Sequence, residues 1–356
     1  MKASIIVCVY NGESTLDLAL TSLFEQDFAG PFEIIVVNDG STDKTQNIID
    51  GFYKRHPKNV KIVNNFVNRG LSVSRNVGIE LSVGNVVAFT DADCVAPVSW
   101  LSDLMSAWED ASPEVVGVGG IVVAYQKSTL NQKYCDAIQV LRPVPYSQGA
   151  SANLISRVLN YYKFRELFSN YASSFIGANM SFRRNCLIEV GGFNPAIKFG
   201  GDEVDLAQRL CEKFGEESLL LSSTIEMSHN FHKSISDSFR RSYMYGRSDG
   251  ERFAKGISGF STSPTLILMA IAFSIFDLLL LPTGLAHLPR AALASVLMVA
   301  TWLWYGITVK FKGKKLGHGT KALFSFFWLC CEILNFVGFL FGLFRKIKKS
   351  GIRNDS

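Results

Sequence analysis

The sequence has few of the residues that build metal clusters and disulfide frameworks. It contains five histidines and seven cysteines in 356 residues, and no two cysteines stand in C-x-x-C spacing. Neither a disulfide framework nor a structural zinc site is indicated, and most of the cysteines are expected to be small buried apolar residues. Internal repeats and low-complexity tracts are also absent.

Long apolar runs are absent from the first 258 residues and frequent after them. The short apolar run before Asn11 is too short for the core of a signal peptide, so we expect the first domain to stay in the cytoplasm. Three later runs reach the length of about 20 residues that crosses a bilayer, at 264–286, 289–309 and 320–344. A membrane region with two to three spans is therefore expected.

Charge is divided unevenly along the chain, whose net formal charge is +5. Residues 310–356 carry ten basic and two acidic side chains, which leaves 26 basic against 29 acidic in residues 1–309. The body is thus not expected to bind nucleic acid, whereas the basic C-terminal region suits an anionic cytoplasmic lipid surface. Two spans would return 310–321 to the cytoplasm, but a third would export the basic segment 345–353. Either 320–344 is re-entrant or interfacial, or the tail is an exception to the positive-inside rule.

The first hundred residues alternate short β-branched runs with amphipathic segments. The pattern predicts strands at 3–10, 32–40, 60–65 and 85–93, and helices at 14–26, 42–56 and 71–82. Continuous apolar strands between helices indicate a parallel sheet that is covered on both faces. Ligands bind beyond the carboxyl ends of the strands in such sheets, and this is where the polar segments YNGE, NDGSTD and DAD fall.

The pattern of the next 150 residues is less regular. We expect a further strand pair at 114–125, a helix at 202–215 and a strand at 218–229. A basic amphipathic segment follows at 235–250, and its arginines and tyrosines suit a helix on a membrane surface.

Two carboxylates, Asp91 and Asp93, stand at the tip of the fourth predicted strand. Alternate side chains diverge there, so one can bind Mg²⁺ or Mn²⁺ while the other orients a ribose or the turn. Such a metal usually completes its shell with water and phosphate oxygens, which makes a nucleoside diphosphate the natural partner. The same D-x-D pattern also occurs as the cap of a turn and a following helix.

Three other positions offer charged side chains suited to binding or catalysis. Asp39 ends a predicted strand and can accept a hydrogen bond from a base or a ribose. Arg75 lies on an early helical turn, where it can meet an anion or pair with a strand-end aspartate. Asp202 and Glu203 open a predicted helix, where they complement the helix dipole or supply a catalytic base.

Six segments resemble, in order, motifs of the family-2 inverting glycosyltransferases of the GT-A fold. They are VCVYNGE, VVNDGSTD, NRGLSVSRNVGIELSVGNVVAFTDADC, FIGANMSFRR, GGFN and GDEVDLAQRL. The resemblance covers about residues 3–250, and the ordered set is far more specific than any one member. It implies an α/β GT-A nucleotide-diphospho-sugar transferase fold, a mostly parallel sheet flanked by helices, followed by C-terminal transmembrane helices.

The resemblance also implies roles for single residues. It places Tyr10, Glu13, Asp39, Arg75, Asp91 and Asp93 around a nucleotide sugar, Asp93 and His229 at a divalent metal (Mg²⁺ or Mn²⁺), Asn179 on the acceptor side, and Asp202 or Glu203 as the catalytic base. The sequence departs from the family's pattern at Cys8, where Pro or Thr is usual and which we interpret as a packing residue. Glu203 stands where the family has its base aspartate, so which of the two acids is the base stays open.

The activity implied is that of a metal-dependent inverting hexosyl- or N-acetylhexosaminyltransferase of bacterial-type glycan biosynthesis. The expected donor is a nucleotide-diphosphate sugar, with UDP as the nucleotide, and the expected acceptor is a hydroxyl of a lipid-linked or growing glycan at the cytoplasmic face of the cell membrane. The alternative acceptor is a polyprenyl phosphate. The expected layout is a nucleotide-sugar half (1–112), an acceptor-side half (113–234), an interfacial segment (235–258), a transmembrane region (259–345) and a basic tail (346–356).

Overall fold

The computed structural model describes residues 1–138, 141, 144–145, 172–254 and 314–351. The chain divides into two compact units. Unit 1 comprises Met1–Ser128, Gln139–Ala150 and Lys163–Phe231, and unit 2 comprises Thr129–Ile138, Ser151–Tyr162 and His232–Ser356. The apolar runs 264–286 and 289–309, which we expect to span the membrane, lie outside the described residues.

Most of the strands of unit 1 form one mixed sheet. The strands are β1 (Ala3–Val9), β2 (Phe32–Asn38), β3 (Val60–Asn64), β4 (Val86–Asp91), β5 (Cys94–Val95), β6 (Gly117–Ala124), β7 (Val144–Pro145), β8 (Ala172–Ser174), β9 (Met180–Arg183) and β10 (Leu219–His229). Among the described residues, eight of these form one sheet in the order β3-β2-β1-β4-β9-β6-β10-β5, and β7 pairs with β8.

The helices follow the expected alternation. They are α1 (Leu16–Phe24), α2 (Thr45–Arg55), α3 (Leu71–Leu81), α4 (Trp100–Asp110), α5 (Leu130–Ile138), α6 (Arg184–Glu189), α7 (Asp202–Phe214), α8 (Ile235–Phe253) and α9 (His318–Gly351). The predicted βαβ order of the first hundred residues is confirmed, because β1 to β4 are parallel and are joined through α1, α2 and α3.

The parallel strands β1, β2 and β4 are largely apolar because both of their faces are buried. Ile5 and Val7 of β1 belong to the hydrophobic core on one face of the sheet, and Ile6 belongs to the core on the other. Full burial of such an aliphatic side chain contributes about 1.5–3 kcal/mol. The parallel pairing of β1 with β2 and with β4 brings the carboxyl ends of these three strands to one edge of the sheet.

The second half of unit 1 extends the same sheet through an antiparallel strand. Strand β9 lies between β4 and β6 and is antiparallel to both, while β10 is parallel to β6 and antiparallel to β5. The prediction of a strand pair at 114–125 is wrong, since this segment contains the single strand β6, Gly117–Ala124. Gly120 does not turn the chain there; a Cβ at this position would lie 2.0 Å from Ile225 O, so glycine permits β10 to approach.

Helix α7 begins and ends at glycines in the left-handed region. Gly201 precedes it with φ 81°, and Gly215 follows it with φ 101°. Glycine is common at helix ends because it lacks the side chain that makes a positive φ unfavourable. The predicted helix 202–215 is confirmed, and its first turn carries Asp202 and Glu203.

Unit 2 contains α5, α8 and α9. The expected amphipathic segment at 235–250 is helix α8, which begins after the cap residue Ser234. Helix α9 contains the third apolar run. Its part His318–Gly342 is the one stretch among the described helices that is long and apolar enough to cross a membrane, with a mean hydropathy of 1.9.

Candidate active site

An arginine joins two of the predicted acidic sites. Arg75, on α3, donates from Nη1 to Asp202 Oδ2 at 2.5 Å and from Nη2 to Asp91 Oδ1 at 3.4 Å. Its side chain is only 3% exposed, and that of Asp202 is 2% exposed. The guanidinium thus links the end of β4 to the start of α7. Of the two sequence interpretations of Arg75, this geometry supports pairing with a strand-end aspartate.

The guanidinium of Arg75 lies in a slot that fixes its position. The ring of Phe193 lies over it, with 5.2 Å between Cζ and the ring centroid. A Cβ added to Gly177 would lie 2.4 Å from Arg75 Nη2, so only glycine leaves room there. Asn76 secures Phe193, because its side-chain amide donates to Phe193 O at 2.8 Å and accepts from Phe193 N at 2.7 Å.

Glu203 is the partly buried neighbour of Asp202 on the first turn of α7. Burial, followed by the negative charge of Asp202 and a hydrogen bond to it, raises the pKa of Glu203 to about 8. The positive charge of Arg75 acts in the opposite direction. A carboxyl group with a pKa near the working pH can accept and release a proton, which is the property of a general base.

A second cluster holds the residues that the resemblance implies for a metal. The Nε2 of His229 lies 3.3 Å from Asp93 Oδ1, and one ligand atom each from Asp93, Cys94 and His229 lie within 4.8 Å of one another. The pairing of β5 with β10 sets this arrangement, because Cys94 is opposite His229 and Asn230 N donates to Asp93 O at 2.8 Å.

The donor set of this cluster fits a divalent cation. A carboxylate oxygen suits Mg²⁺ or Mn²⁺, imidazole suits the softer metals, and water and phosphate usually complete the shell. Cys94 does not fit as a ligand of Mg²⁺ or Mn²⁺, because these cations prefer oxygen ligands whereas thiolates select softer metals. Asp93 and His229 are therefore the residues able to hold the ion.

Asp39 lies at the end of β2 and is almost fully buried. Its Oδ1 accepts from Asn65 Nδ2 at 2.8 Å and from Arg69 N at 3.0 Å, and its Oδ2 accepts from Gly70 N at 2.9 Å. The carboxylate therefore orders the segment that leads into α3 and Arg75. Its contact with a nucleobase stays a prediction.

Tyr10 and Glu13 follow β1 at the same edge of the sheet. Tyr10 is 50% exposed, which leaves its ring accessible to a ligand. Glu13 is held against the start of α2: its Oε2 accepts from Lys44 N at 3.0 Å and its N donates to Asp43 Oδ2 at 3.1 Å. The loops after β1 and β2 are thereby joined.

Asn179 and Cys8 are packing residues in this structure. The amide of Asn179 is 1% exposed; it donates to Ile121 O and Ile225 O, and its Oδ1 accepts from Trp100 Nε1. A buried amide with these partners supports the sheet, and the acceptor-side role of Asn179 stays a prediction. Burial raises the pKa of Cys8 to about 12, in agreement with its interpretation as a packing residue.

The sequence interpretation missed the residues that support Arg75 and the acidic pair. Asn76, Gly177 and Phe193 form the slot described above. Arg209, on α7, donates to Val190 O and Gly192 O at 2.7 and 2.8 Å and pairs with Asp205. All of these lie within the motif segments, but their type alone does not reveal their contacts, which for Asn76 and Gly177 join residues more than a hundred positions apart.

Comparison with known proteins identifies the family. The sequence profile of glycosyl transferase family 2 matches residues 4–191, more than half of the chain. The glucosyl-dolichyl phosphate glucuronosyltransferase of Haloferax volcanii is 29% identical over 228 residues, covering 61% of this chain and 65% of the relative. The uncharacterized glycosyltransferase EpsJ of Bacillus subtilis is 28% identical over 197 residues, covering 54% and 56%. The chain thus spans less than two thirds of the length of either relative.

A solved structure shows the same architecture. The mannosyltransferase PcManGT from Pyrobaculum calidifontis, in complex with GDP-Man and Mn²⁺, aligns with a TM-score of 0.57 at 19% identity, over 94% of this chain and 86% of that one. The expected GT-A fold is therefore confirmed. The ordered motifs, the sheet and the profile match agree, and the chain belongs to glycosyl transferase family 2.

Proposed function

We propose that the protein transfers a hexose or N-acetylhexosamine, with inversion, from a nucleotide-diphosphate sugar to a hydroxyl group of a lipid-linked or growing glycan. UDP is the proposed nucleotide, and the cytoplasmic face of the cell membrane is the proposed location. The observation that carries this proposal is the acidic pair at the start of α7, in which Glu203 has a raised pKa and Asp202 is held by Arg75.

Inverting transfer is a displacement at the anomeric carbon, in which the acceptor hydroxyl loses its proton as the new bond forms. A carboxylate within hydrogen-bond reach assists this step. Asp202 is poorly suited to it, because it is buried and its Oδ2 receives the Arg75 guanidinium at 2.5 Å. Glu203 is partly exposed and its pKa is raised to about 8, so we assign it as the base and Asp202 as the residue that positions it.

The donor site is proposed at the carboxyl ends of β1, β2 and β4. Tyr10, Glu13 and Asp39 surround the nucleotide, and Asp91 orients the ribose. Asp93 and His229 would hold the divalent metal, which, when bound, stabilises the negative charge that develops on the leaving diphosphate. The positively charged guanidinium of Arg75 pairs with the Asp91 carboxylate and holds it in place.

The acceptor is the less constrained partner. A polyprenyl phosphate, the alternative acceptor, already carries an anionic oxygen and needs no base, so the acidic pair favours a sugar hydroxyl. The Haloferax volcanii relative is named for glucuronosyl transfer and for a glucosyl-dolichyl phosphate, which is compatible with a sugar carried on a lipid.

The test begins with the donor. The purified full chain is incubated with a panel of nucleotide sugars, with and without Mn²⁺, and its thermal stability is measured; a UDP-sugar that stabilises only with Mn²⁺ is expected. Transfer is then followed with lipid-linked sugars and with polyprenyl phosphate. A double variant, Asp202→Asn with Glu203→Gln, should be inactive on a sugar acceptor. Substantial activity of that variant on polyprenyl phosphate would establish the alternative, and stabilisation by no nucleotide sugar would contradict both.

A further inference from the structure

Between Leu323 and Phe341, helix α9 carries an exposed face that is entirely apolar. The exposed large side chains on it are Leu323, Phe326, Ile333, Phe336, Val337 and Phe341. Their spacing places them within less than half of the helix circumference. Phe341 is 61% exposed. A continuous apolar stripe of this length on a protein surface marks an interaction site.

The opposite face of α9 is packed against two polar helices. Near its start, Phe324 and Phe327 make edge contacts with the ring of Tyr134 on α5. Further along, its glycines touch the backbone of α8. A Cβ on Gly338 would lie 2.1 Å from Tyr243 O, and one on Gly342 would lie 2.1 Å from Arg247 O.

These contacts fix the direction of α9 relative to α8. The contact moves from Tyr243 to Arg247 on α8 as it moves from Gly338 to Gly342 on α9, so the two helices run parallel and side by side. Asn335 Nδ2 also donates to Ser242 O at 3.2 Å. Any position that α9 takes in a membrane is therefore shared by α8.

Helix α8 is too polar to share the hydrocarbon core. It carries seven charged residues between its ends: Asp237, Arg240, Arg241, Arg247, Asp249, Glu251 and Arg252. Charged side chains at the centre of a bilayer are strongly unfavourable and rare. An α9 that crossed the bilayer would take this helix with it. The length and hydropathy of α9 alone would allow it to span a membrane, but the charged residues of α8, which packs beside it, make a span unfavourable.

We propose that α9 lies in the plane of an anionic membrane surface, with its exposed apolar face among the acyl chains and α8 on the water side. Basic residues flank the apolar stripe at both ends, with Lys314, Lys315 and Lys321 before it and Arg345 and Lys346 after it. They suit anionic headgroups on both sides of the stripe. Both basic segments then stay on one side of the bilayer, which removes the topological conflict of a third span.

Depth measurement tests this orientation. A fluorescent amino acid is placed singly at Phe326, Ile333 or Phe341 in the full chain, which is reconstituted in vesicles of phosphatidylcholine and phosphatidylglycerol. Quenching by lipids with nitroxides at different depths locates each label. Phe326 and Phe341 are roughly 22 Å apart along the helix axis. An in-plane helix should give three similar depths, about 5–10 Å into the headgroup and acyl boundary. A label at Arg240 on α8 is the control, and only aqueous iodide should quench it.

Each alternative gives a different result. A spanning helix would place Ile333 near the bilayer centre with Phe326 and Phe341 on opposite sides, which would overturn the proposal. Absence of lipid quenching at all three positions would show that protein covers the stripe, either another part of this chain or a second copy, and would also overturn it. In vesicles without phosphatidylglycerol, iodide access to the labels at Phe326 and Phe341 should rise at least about twofold. Unchanged access would refute the choice of an anionic surface.

Discussion

Replacing Glu203 by glutamine should lower activity and raise stability at alkaline pH. The folded protein raises the pKa of Glu203 from an ordinary 4.5 to about 8, chiefly through burial and secondly through the charge of Asp202. A carboxyl with a raised pKa stabilises the fold in its protonated form. That contribution is complete below the unfolded pKa and is lost as the pH rises through the folded pKa. Glutamine stays neutral at every pH and avoids the loss.

The size of the effect follows from the two pKa values. Between about pH 5.5 and about pH 8.5 the wild-type protein loses about 3 kcal/mol through this group, at about 1.4 kcal/mol per pH unit. The difference in unfolding free energy between the Glu203→Gln variant and the wild type should therefore increase by about 3 kcal/mol over this pH range. For a domain of 150–250 residues this corresponds to about 6–12 °C in melting temperature. At about pH 8.5, where Glu203 is mostly ionised, the kcat of the variant should lie about 10²–10⁴-fold below wild type, since the base is missing. The difference in kcat should be smaller at about pH 5.5, because the wild-type carboxyl is protonated there.

Melting curves at the two pH values and the release of nucleoside diphosphate provide the measurements. Glu212→Gln, on the exposed side of the same helix, is the matched control and should change neither quantity. A melting difference that does not vary with pH would refute the raised pKa of Glu203. A kcat within tenfold of wild type at about pH 8.5 would remove this residue from the reaction.

Three further changes test the rest of the site. Asp202→Asn should shift the acidic limb of the pH profile of kcat/KM to lower pH, because the charge of Asp202 raises the pKa of Glu203. Gly177→Ala should lower kcat about 10²-fold, the effect of a displacement of about 1 Å, because its Cβ would lie 2.4 Å from Arg75 Nη2. Asp93→Ala should abolish the stimulation of transfer by Mn²⁺ and the thermal stabilisation by Mn²⁺ with donor.

Matched controls separate these effects from general damage. Gly51→Ala lies within α2 with no atom inside 4 Å of the added Cβ, so it should keep full activity and gain about 0.5–1 kcal/mol of stability. If Asp202→Asn lost activity at every pH with no shift of the profile, Asp202 and not Glu203 would be the base. Retention of Mn²⁺ dependence by Asp93→Ala would place the metal elsewhere.

The sequence was informative where local pattern determines structure. The apolar runs predicted β1, β2, β3 and β4 within one or two residues, because strands of a parallel sheet that are largely buried are rich in apolar residues. The family resemblance also indicated Asp93 and His229 together, although they are separated by more than a hundred residues and His229 lies outside the six motif segments. The acidic pair was located correctly at the first turn of α7.

Contacts between distant segments could not be predicted in the same way. The sequence left open whether Arg75 meets an anion or a strand-end aspartate. Its guanidinium is placed by Asp202 and Asp91 together, and only the folded chain brings these two residues to it. The burial of Asn179 depends on Trp100 and the carbonyls of neighbouring strands, none of which leaves a local signal. Strand β6 was mistaken for a pair because two adjacent glycines resemble a turn, whereas their small size serves packing.

The place of β9 and β10 in the sheet has a consequence for dividing the protein. A fragment that ends after residue 112 contains every residue of the expected nucleotide-sugar half, yet it lacks β9, which covers the edge of β4, and β10, the partner of β5. It would leave β4 as an unprotected edge, open to pairing with other chains, and would release Asp93 from its position beside His229. A soluble version for crystallisation or for engineering the donor preference must therefore retain the chain at least to His229.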